Sequence, residues 1–211
     1  MRIDTIDGLL LEADMAIPTS PWAAAIVAHP HPLQGGHRFN PVVDALYGTF
    51  ATNGIAVLRF DFRGVGQSQG THDGGDAERL DVAAALDAIE PWTHPATSGS
   101  ARNGPLVAMG YSFGALVALE VAEPRVSGWV AVAPPLPPQG RTPLAGADPR
   151  PKLVLSPTFD QFCPPDVARQ RTSTWNAVEV RAIEMTDHFL VGRTAYVCEA
   201  ALAFVRRLAG Q

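Results

Sequence analysis

The chain has 211 residues, 46% of them hydrophobic and 18% charged, with a formal net charge of −5. This balance excludes disorder and coiled coil, and the length suits a single domain over 1–211 with a sizeable core. Lys152 is the only lysine and no Lys/Arg cluster is present, so the electrostatic footprint of a nucleic-acid binder is missing.

Two cysteines, Cys163 and Cys198, have no CxxC spacing and cannot build a disulfide framework; they read as free thiols in a reducing compartment. Asp4, Asp7, Glu12 and Asp14 interrupt the first apolar stretch, so no signal-peptide pattern is read. No window reaches the ~18 uninterrupted apolar residues of a membrane span. The expectation is a soluble cytoplasmic protein with neither membrane nor nucleic-acid partners. Oligomeric state is open, a homodimer included.

In chain order, residues 1–17 read as a hairpin turning at Asp7-Gly8. Ala23 to Ala28 is a short apolar run, a buried strand ending at His29-Pro30. Pro41 to Asn53 places Val42, Val43, Leu46 and Phe50 at helical spacing and closes at Gly54. Gly54 to Phe60 is a second strand, and Asp76 to Ile89 a second helix. Leu106 to Met109 is a strand followed at once by a helix from Phe113 to Ala122. Strands follow at Ser127 to Ala133 and Lys152 to Leu155, then a helix at Asp166 to Trp175, a strand at Val178 to Ile183 and a closing helix at Thr194 to Leu208.

Short apolar runs separated by helices predict a mainly parallel sheet covered on both faces, a three-layer α/β/α sandwich. Such a sheet keeps its chemistry outside the carboxyl ends of its strands. Pro134 to Pro151 holds seven prolines and little periodicity, so it reads as a loop. It is too short for a lid domain, and an open, shallow site is expected.

Gly110-Tyr111-Ser112-Phe113-Gly114 fits G-x-S-x-G, with an apolar strand before it and an apolar helix after it. The turn holds a serine exposed and strained, the glycines remove colliding Cβ atoms, and the helix N-terminus favours developing negative charge. A serine needs a base to take its proton. His188 follows the strand Val178 to Ile183, on the same edge of the sheet as Ser112. The base needs a carboxylate to fix its tautomer. Asp160, just past the strand Lys152 to Leu155, ranks first; Asp187 adjoins His188, but consecutive residues rarely point at each other, and Asp166 begins a helix. Serine, aspartate and histidine then stand in the chain order of sheet-based serine hydrolases.

These residues give the chain a resemblance. It resembles small α/β-hydrolase-superfamily members, close to the dienelactone-hydrolase-like group and its lidless bacterial esterases. Four stretches carry the likeness: His29-Pro30-His31-Pro32-Leu33-Gln34-Gly35-Gly36, Asp61 to Ser68, Gly110 to Gly114, and Asp187-His188-Phe189 with Gly192-Arg193. The resemblance implies an α/β-hydrolase fold with Ser112 as nucleophile, His188 as base and Asp160 as acid, the last supported by Pro164 in the family's D-x-x-x-P turn. Pro157 stands where the family usually has glycine. Dienelactone hydrolases proper carry a cysteine nucleophile; serine here favours ordinary esters.

The same resemblance assigns the oxyanion to the backbone N–H groups of His31 and Phe113. Pro30 and Pro32 have no N–H, so His31 is the only donor of those three positions. His29, His31 and His37 read as loop histidines bonded to backbone, because nothing completes a metal-ligand set. The glycine-rich run Gly64 to Gly70 does not open a helix directly, so it reads as a structural loop anchored by Arg63 through a carboxylate. The expected function is cofactor-free hydrolysis of a small ester or thioester. A non-catalytic binding protein of the same fold, a lactonase and a peptidase remain alternatives.

Overall fold

The computed structural model describes residues 1–93, 104–138 and 141–211. Among them, eight strands form one sheet: β1 (Arg2–Asp4), β2 (Leu10–Ala16), β3 (Ala23–Ala28), β4 (Ile55–Phe60), β5 (Leu106–Tyr111), β6 (Gly128–Val132), β7 (Lys152–Pro157) and β8 (Val178–Ile183). Their order is β1-β2-β4-β3-β5-β6-β7-β8. β1 and β2 form the expected hairpin, with Arg2 facing Glu12, and β2 runs antiparallel to β4. The remaining pairings, from β4 through β8, are parallel.

The central strands β3, β5 and β6 are apolar on both sides because both faces are covered. Every residue of β3 is buried. Ala24, Ile26 and Ala28 face one core, and Ala23, Ala25 and Val27 face the other. β8 lies at the sheet margin and carries Glu179 and Arg181, charges that blunt an open edge.

Six α-helices accompany the sheet among the described residues: α1 (Pro41–Thr52), α2 (Glu78–Ile89), α3 (Phe113–Leu119), α4 (Leu144–Ala147), α5 (Pro165–Arg171) and α6 (Thr194–Leu208). α1 and α6 cover one face through Val42, Leu46, Phe50, Val197, Phe204 and Val205. α2, α3 and α5 cover the other. The result is the expected three-layer α/β/α sandwich. α1 starts where the Asn40 side chain accepts from the Val42 amide at 3.0 Å, with Pro41 in its first turn.

Helix ends differ from the sequence expectation for local reasons. α3 stops at Leu119 rather than Ala122. The Trp129 indole takes the Val121 carbonyl at 2.9 Å, Arg150 takes that of Ala122 at 3.3 Å, and Pro124 disfavours a helical residue before it. α5 ends at Arg171 rather than Trp175, where the Thr172 hydroxyl donates to Ala168 O at 2.8 Å. The 134–151 segment is not wholly a loop, since α4 lies within it; its residues 139 and 140 fall outside the described residues. No lid domain stands over the sheet among the described residues, and no described helix is long and apolar enough to cross a membrane.

The loop after β4 is fixed as its glycines and arginine suggested. The Arg63 Nε and Nη2 both donate to Asp81 Oδ1, at 3.0 and 2.7 Å, and the Arg63 amide donates to Oδ2 at 2.9 Å. The third guanidinium nitrogen, Nη1, reaches Asp7 Oδ2 at 3.0 Å, tying the hairpin to the same point. Ser68, buried in the turn, donates to Asp61 O at 2.8 Å and accepts from the Glu12 amide at 2.9 Å.

Candidate active site

Ser112 joins β5 to α3 with φ 54° and ψ −119°. A side-chain-bearing residue there is strained, at a cost of about 1–3 kcal/mol, and persists only if its surroundings impose it. They do. The Ser112 amide donates to Val132 O on the neighbouring strand at 2.8 Å, and its carbonyl accepts from Ala115 and Leu116 at 3.0 and 3.3 Å. The flanking glycines are obligatory on contact grounds. A Cβ on Gly110 would lie 2.3 Å from Gly114 backbone, and one on Gly114 would lie 2.5 Å from the carbonyl oxygens of Ala28 and His29.

His188 lies beyond β8, and its Nε2 is 2.9 Å from Ser112 Oγ. Its Nδ1 is 2.8 Å from Asp160 Oδ2, in the loop beyond β7. A carboxylate accepts, so Nδ1 carries the proton and Nε2 is left to accept from the serine hydroxyl. Asp160 is itself held: its Oδ1 accepts from the amides of Phe162 at 2.8 Å and Cys163 at 3.3 Å. Ser112, Asp160 and His188 are all buried, at 8%, 4% and 5% exposure, so their mutual bonds are little diluted by water.

The rival carboxylates are elsewhere. Asp187 accepts from the Phe189 amide at 3.0 Å, and Asp166 pairs with Arg169 at 2.8 Å on the surface. Cys163 bears on the site only through its main chain. Its amide supports Asp160, its carbonyl accepts from Ser156 Oγ at 2.6 Å, and burial pushes its thiol up.

His31 precedes a 3-10 turn at Pro32–Gln34, and its carbonyl accepts from Gln34 and Gly36, both at 3.0 Å. Its ring packs 5.0 Å from that of Phe113, so the two residues face the same corner of the site. Among the described residues, neither the His31 nor the Phe113 amide donates to a protein acceptor. His29 fixes the base of this loop. Its Nδ1 donates to Pro30 O at 2.6 Å and its Nε2 accepts from the Phe62 amide at 3.0 Å. Both ring nitrogens are thus used in the neutral form, and burial pulls the imidazole down to about 4. His37 accepts from the Phe39 amide at 3.1 Å. No group of three or more potential metal ligands exists among the described residues.

Three contributors escaped the sequence reading. Tyr111, the unspecified residue before Ser112, donates its buried hydroxyl to the His188 carbonyl at 2.9 Å, and burial pushes that phenol up to about 12. The Phe162 ring meets the imidazole in a T-shaped arrangement, centroids 4.8 Å apart. Buried Glu78 accepts from His72 Nδ1 at 2.7 Å and from the Gly75 amide at 2.8 Å, organising the loop beside His31. Nothing local in sequence names the partner of Tyr111, 77 positions away. A cavity of about 170 Å³ lies against Phe113, Leu116 and Val117, with Asp76, Glu120 and Arg141 also in its lining. A larger one, of about 430 Å³, sits at the opposite end of the strands, and its described lining, including Ser20, Trp22 and Ser127, holds no histidine.

Residues 25–208 match the family model described as the alpha/beta hydrolase family. The chain belongs to the alpha/beta hydrolase family. A structure of an alpha-beta serine hydrolase homologue from Coxiella burnetii superposes with a TM-score of 0.82 at 28% identity, covering 96% of this chain and 95% of that one. A lidless α/β serine hydrolase from Xanthomonas campestris gives 0.79 at 28% identity, over 98% and 93%. An uncharacterized protein of Rickettsia prowazekii is 40% identical over 129 residues, 60% of this chain and 51% of that protein. The chain spans about half the length of this curated relative. This alpha/beta hydrolase therefore has serine hydrolase homologues among the solved structures.

Proposed function

We propose that the protein hydrolyses small carboxylic esters or thioesters through an acyl-enzyme on Ser112, with His188 as base and Asp160 as its orienting acid. The observation that carries the reading is the continuous hydrogen-bonded chain from Ser112 Oγ through both nitrogens of His188 to Asp160. Nε2 takes the hydroxyl proton as Oγ bonds to the acyl carbon. The carbonyl oxygen gains charge, and the N–H groups of His31 and Phe113 stabilise it. His188 then returns the proton to the leaving oxygen or sulfur as that bond breaks. A water, deprotonated by the same nitrogen, attacks the acyl-enzyme and frees the acid.

Asp160 keeps Nδ1 protonated and stabilises the imidazolium, while the Phe162 and Cys163 amides keep its other oxygen in place. The unspent amides of His31 and Phe113 support the oxyanion assignment; losing one such donor costs about 2.7–4 kcal/mol of transition-state stabilisation. The two free, buried thiols fit a reducing cytoplasm. The test is hydrolysis of p-nitrophenyl acetate by the wild type and by Ser112→Ala. The reading requires activity in the first and its loss in a folded second. Equal rates would reject it.

A further inference from the structure

We propose that the alcohol half of the substrate carries an aromatic group that seats on an exposed shelf made by Phe162 and Phe189, extended by Phe159, Met185 and Val191. The assignment rests on the serine-hydrolase reading above and adds the class of alcohol. In the acyl-transfer step the Ser112 Oγ–acyl bond forms and the acyl–O(alcohol) bond breaks. The proton taken by His188 Nε2 passes to the departing oxygen. The alcohol half must therefore leave from the imidazole's side of Ser112.

That side is aromatic. The Phe162 and Phe189 rings both meet the imidazole in T-shaped arrangements, with centroids 4.8 and 6.0 Å away. Both are open to solvent, at 47% and 65% exposure. Phe159, Met185 and Val191, in the same two loops, are each more than 60% exposed. These residues come from two loops that are tied together. The Phe159 amide donates to Thr186 O, and the Met185 amide to Thr158 Oγ, both at 3.0 Å. The two loops are thus held as one unit, and Phe162 and Phe189 join it to the imidazole. A chain that exposes this many large apolar groups at one place marks a binding surface rather than a folding need. Planar rings with free faces and edges favour an aromatic occupant over an aliphatic one of equal area.

The experiment compares benzyl acetate with ethyl acetate, which share the acyl group and have similar leaving-group basicity. Wild type is measured against Phe189→Ala and Phe159→Ala, whose side chains lie outside the core. The expected result is a benzyl-to-ethyl ratio of kcat/KM that falls about tenfold in Phe189→Ala and less in Phe159→Ala. Cyclohexylmethyl acetate should gain less than benzyl acetate from the wild-type shelf. An equal fall for both esters, or an unchanged ratio, overturns the shelf. Size-exclusion chromatography of the same proteins gives the other contrary outcome: a wild-type dimer that the variants dissociate would make the surface a contact between copies. Wild type inactive on every ester would instead bring down the underlying hydrolase reading.

Discussion

The hydroxyl of Tyr111 donates to the main-chain carbonyl of His188 across 2.9 Å, joining the residue before the candidate nucleophile to the candidate base. The bond pins the loop that carries the imidazole. Leu190 and Met185 in the same loop hold φ of 59° and 56°, so the segment is held in conformations that side-chain-bearing residues seldom adopt. Tyr111→Phe leaves a buried carbonyl without its donor. A loss of about 1–3 kcal/mol in urea unfolding is expected. kcat for p-nitrophenyl acetate should fall severalfold with KM little changed, because the imidazole wanders while the binding surface stays. A KM effect with unchanged kcat would contradict this positioning role.

Asp160 and Asp187 give a sharper contrast. Only Asp160 touches the imidazole, and Asp187 is spent on the Phe189 amide. Asp160→Asn presents an amide that cannot hold Nδ1 protonated in the same way, and a loss of kcat on the order of 10⁴ is expected by analogy with other triads. Asp187→Asn should leave kcat within about twofold, since an amide oxygen still accepts from Phe189. Steady-state kinetics on both variants decides it; a larger loss in Asp187→Asn would reassign the acid.

His29 predicts a pH-dependent stability. Its folded value is about 4 against an ordinary 6.5, because it is buried and both nitrogens are committed in the neutral form. Between those pH values the unfolded chain binds the proton and the folded chain does not. Its contribution is therefore intact above about pH 6.5 and drains away as pH falls toward 4. At pH 5 the loss is about 2 kcal/mol. Urea unfolding at pH 7.5 and pH 5 should show wild type losing about that much more than His29→Gln. Equal pH sensitivity in the two proteins would show that His29 is not the group responsible.

Arg63 and Asp81 form a buried pair with three hydrogen bonds between them. Arg63→Met strands the Asp81 carboxylate, and a loss of about 3–5 kcal/mol is expected. The double variant Arg63→Met, Asp81→Leu should recover part of it, because the uncompensated charge is gone. Denaturant midpoints of the three proteins measure this. A double variant no more stable than Arg63→Met would mean that geometry, not charge, dominates the loop.

Much of the fold was legible because its carriers are local. The run Ala23 to Ala28 is apolar at every position, as a strand covered on both faces must be. Gly110 and Gly114 mark a strand-to-helix turn that admits no Cβ. Asp160 and His188 each lie just beyond a strand's carboxyl end, where chain order and the family resemblance together pointed. Helix ends were less legible. α3 is cut short by Trp129 and Arg150, which reach the carbonyls of Val121 and Ala122 from distant parts of the chain. The Tyr111–His188 bond and the Phe162 ring against the imidazole are likewise products of tertiary approach, with no periodic or spacing signal. The short helix α4 lay hidden in a proline-rich stretch, where Pro143 opens it and its four residues are too few for periodicity.

The most direct measurement is reaction of the folded protein with a fluorophosphonate, followed by peptide mass analysis. An activated serine is phosphonylated, whereas an ordinary surface serine is not. The account predicts one adduct per chain, on the peptide holding Ser112, absent in Ser112→Ala and strongly reduced in His188→Ala. A folded wild-type protein that takes no label, or takes it on a serine other than Ser112, would contradict it.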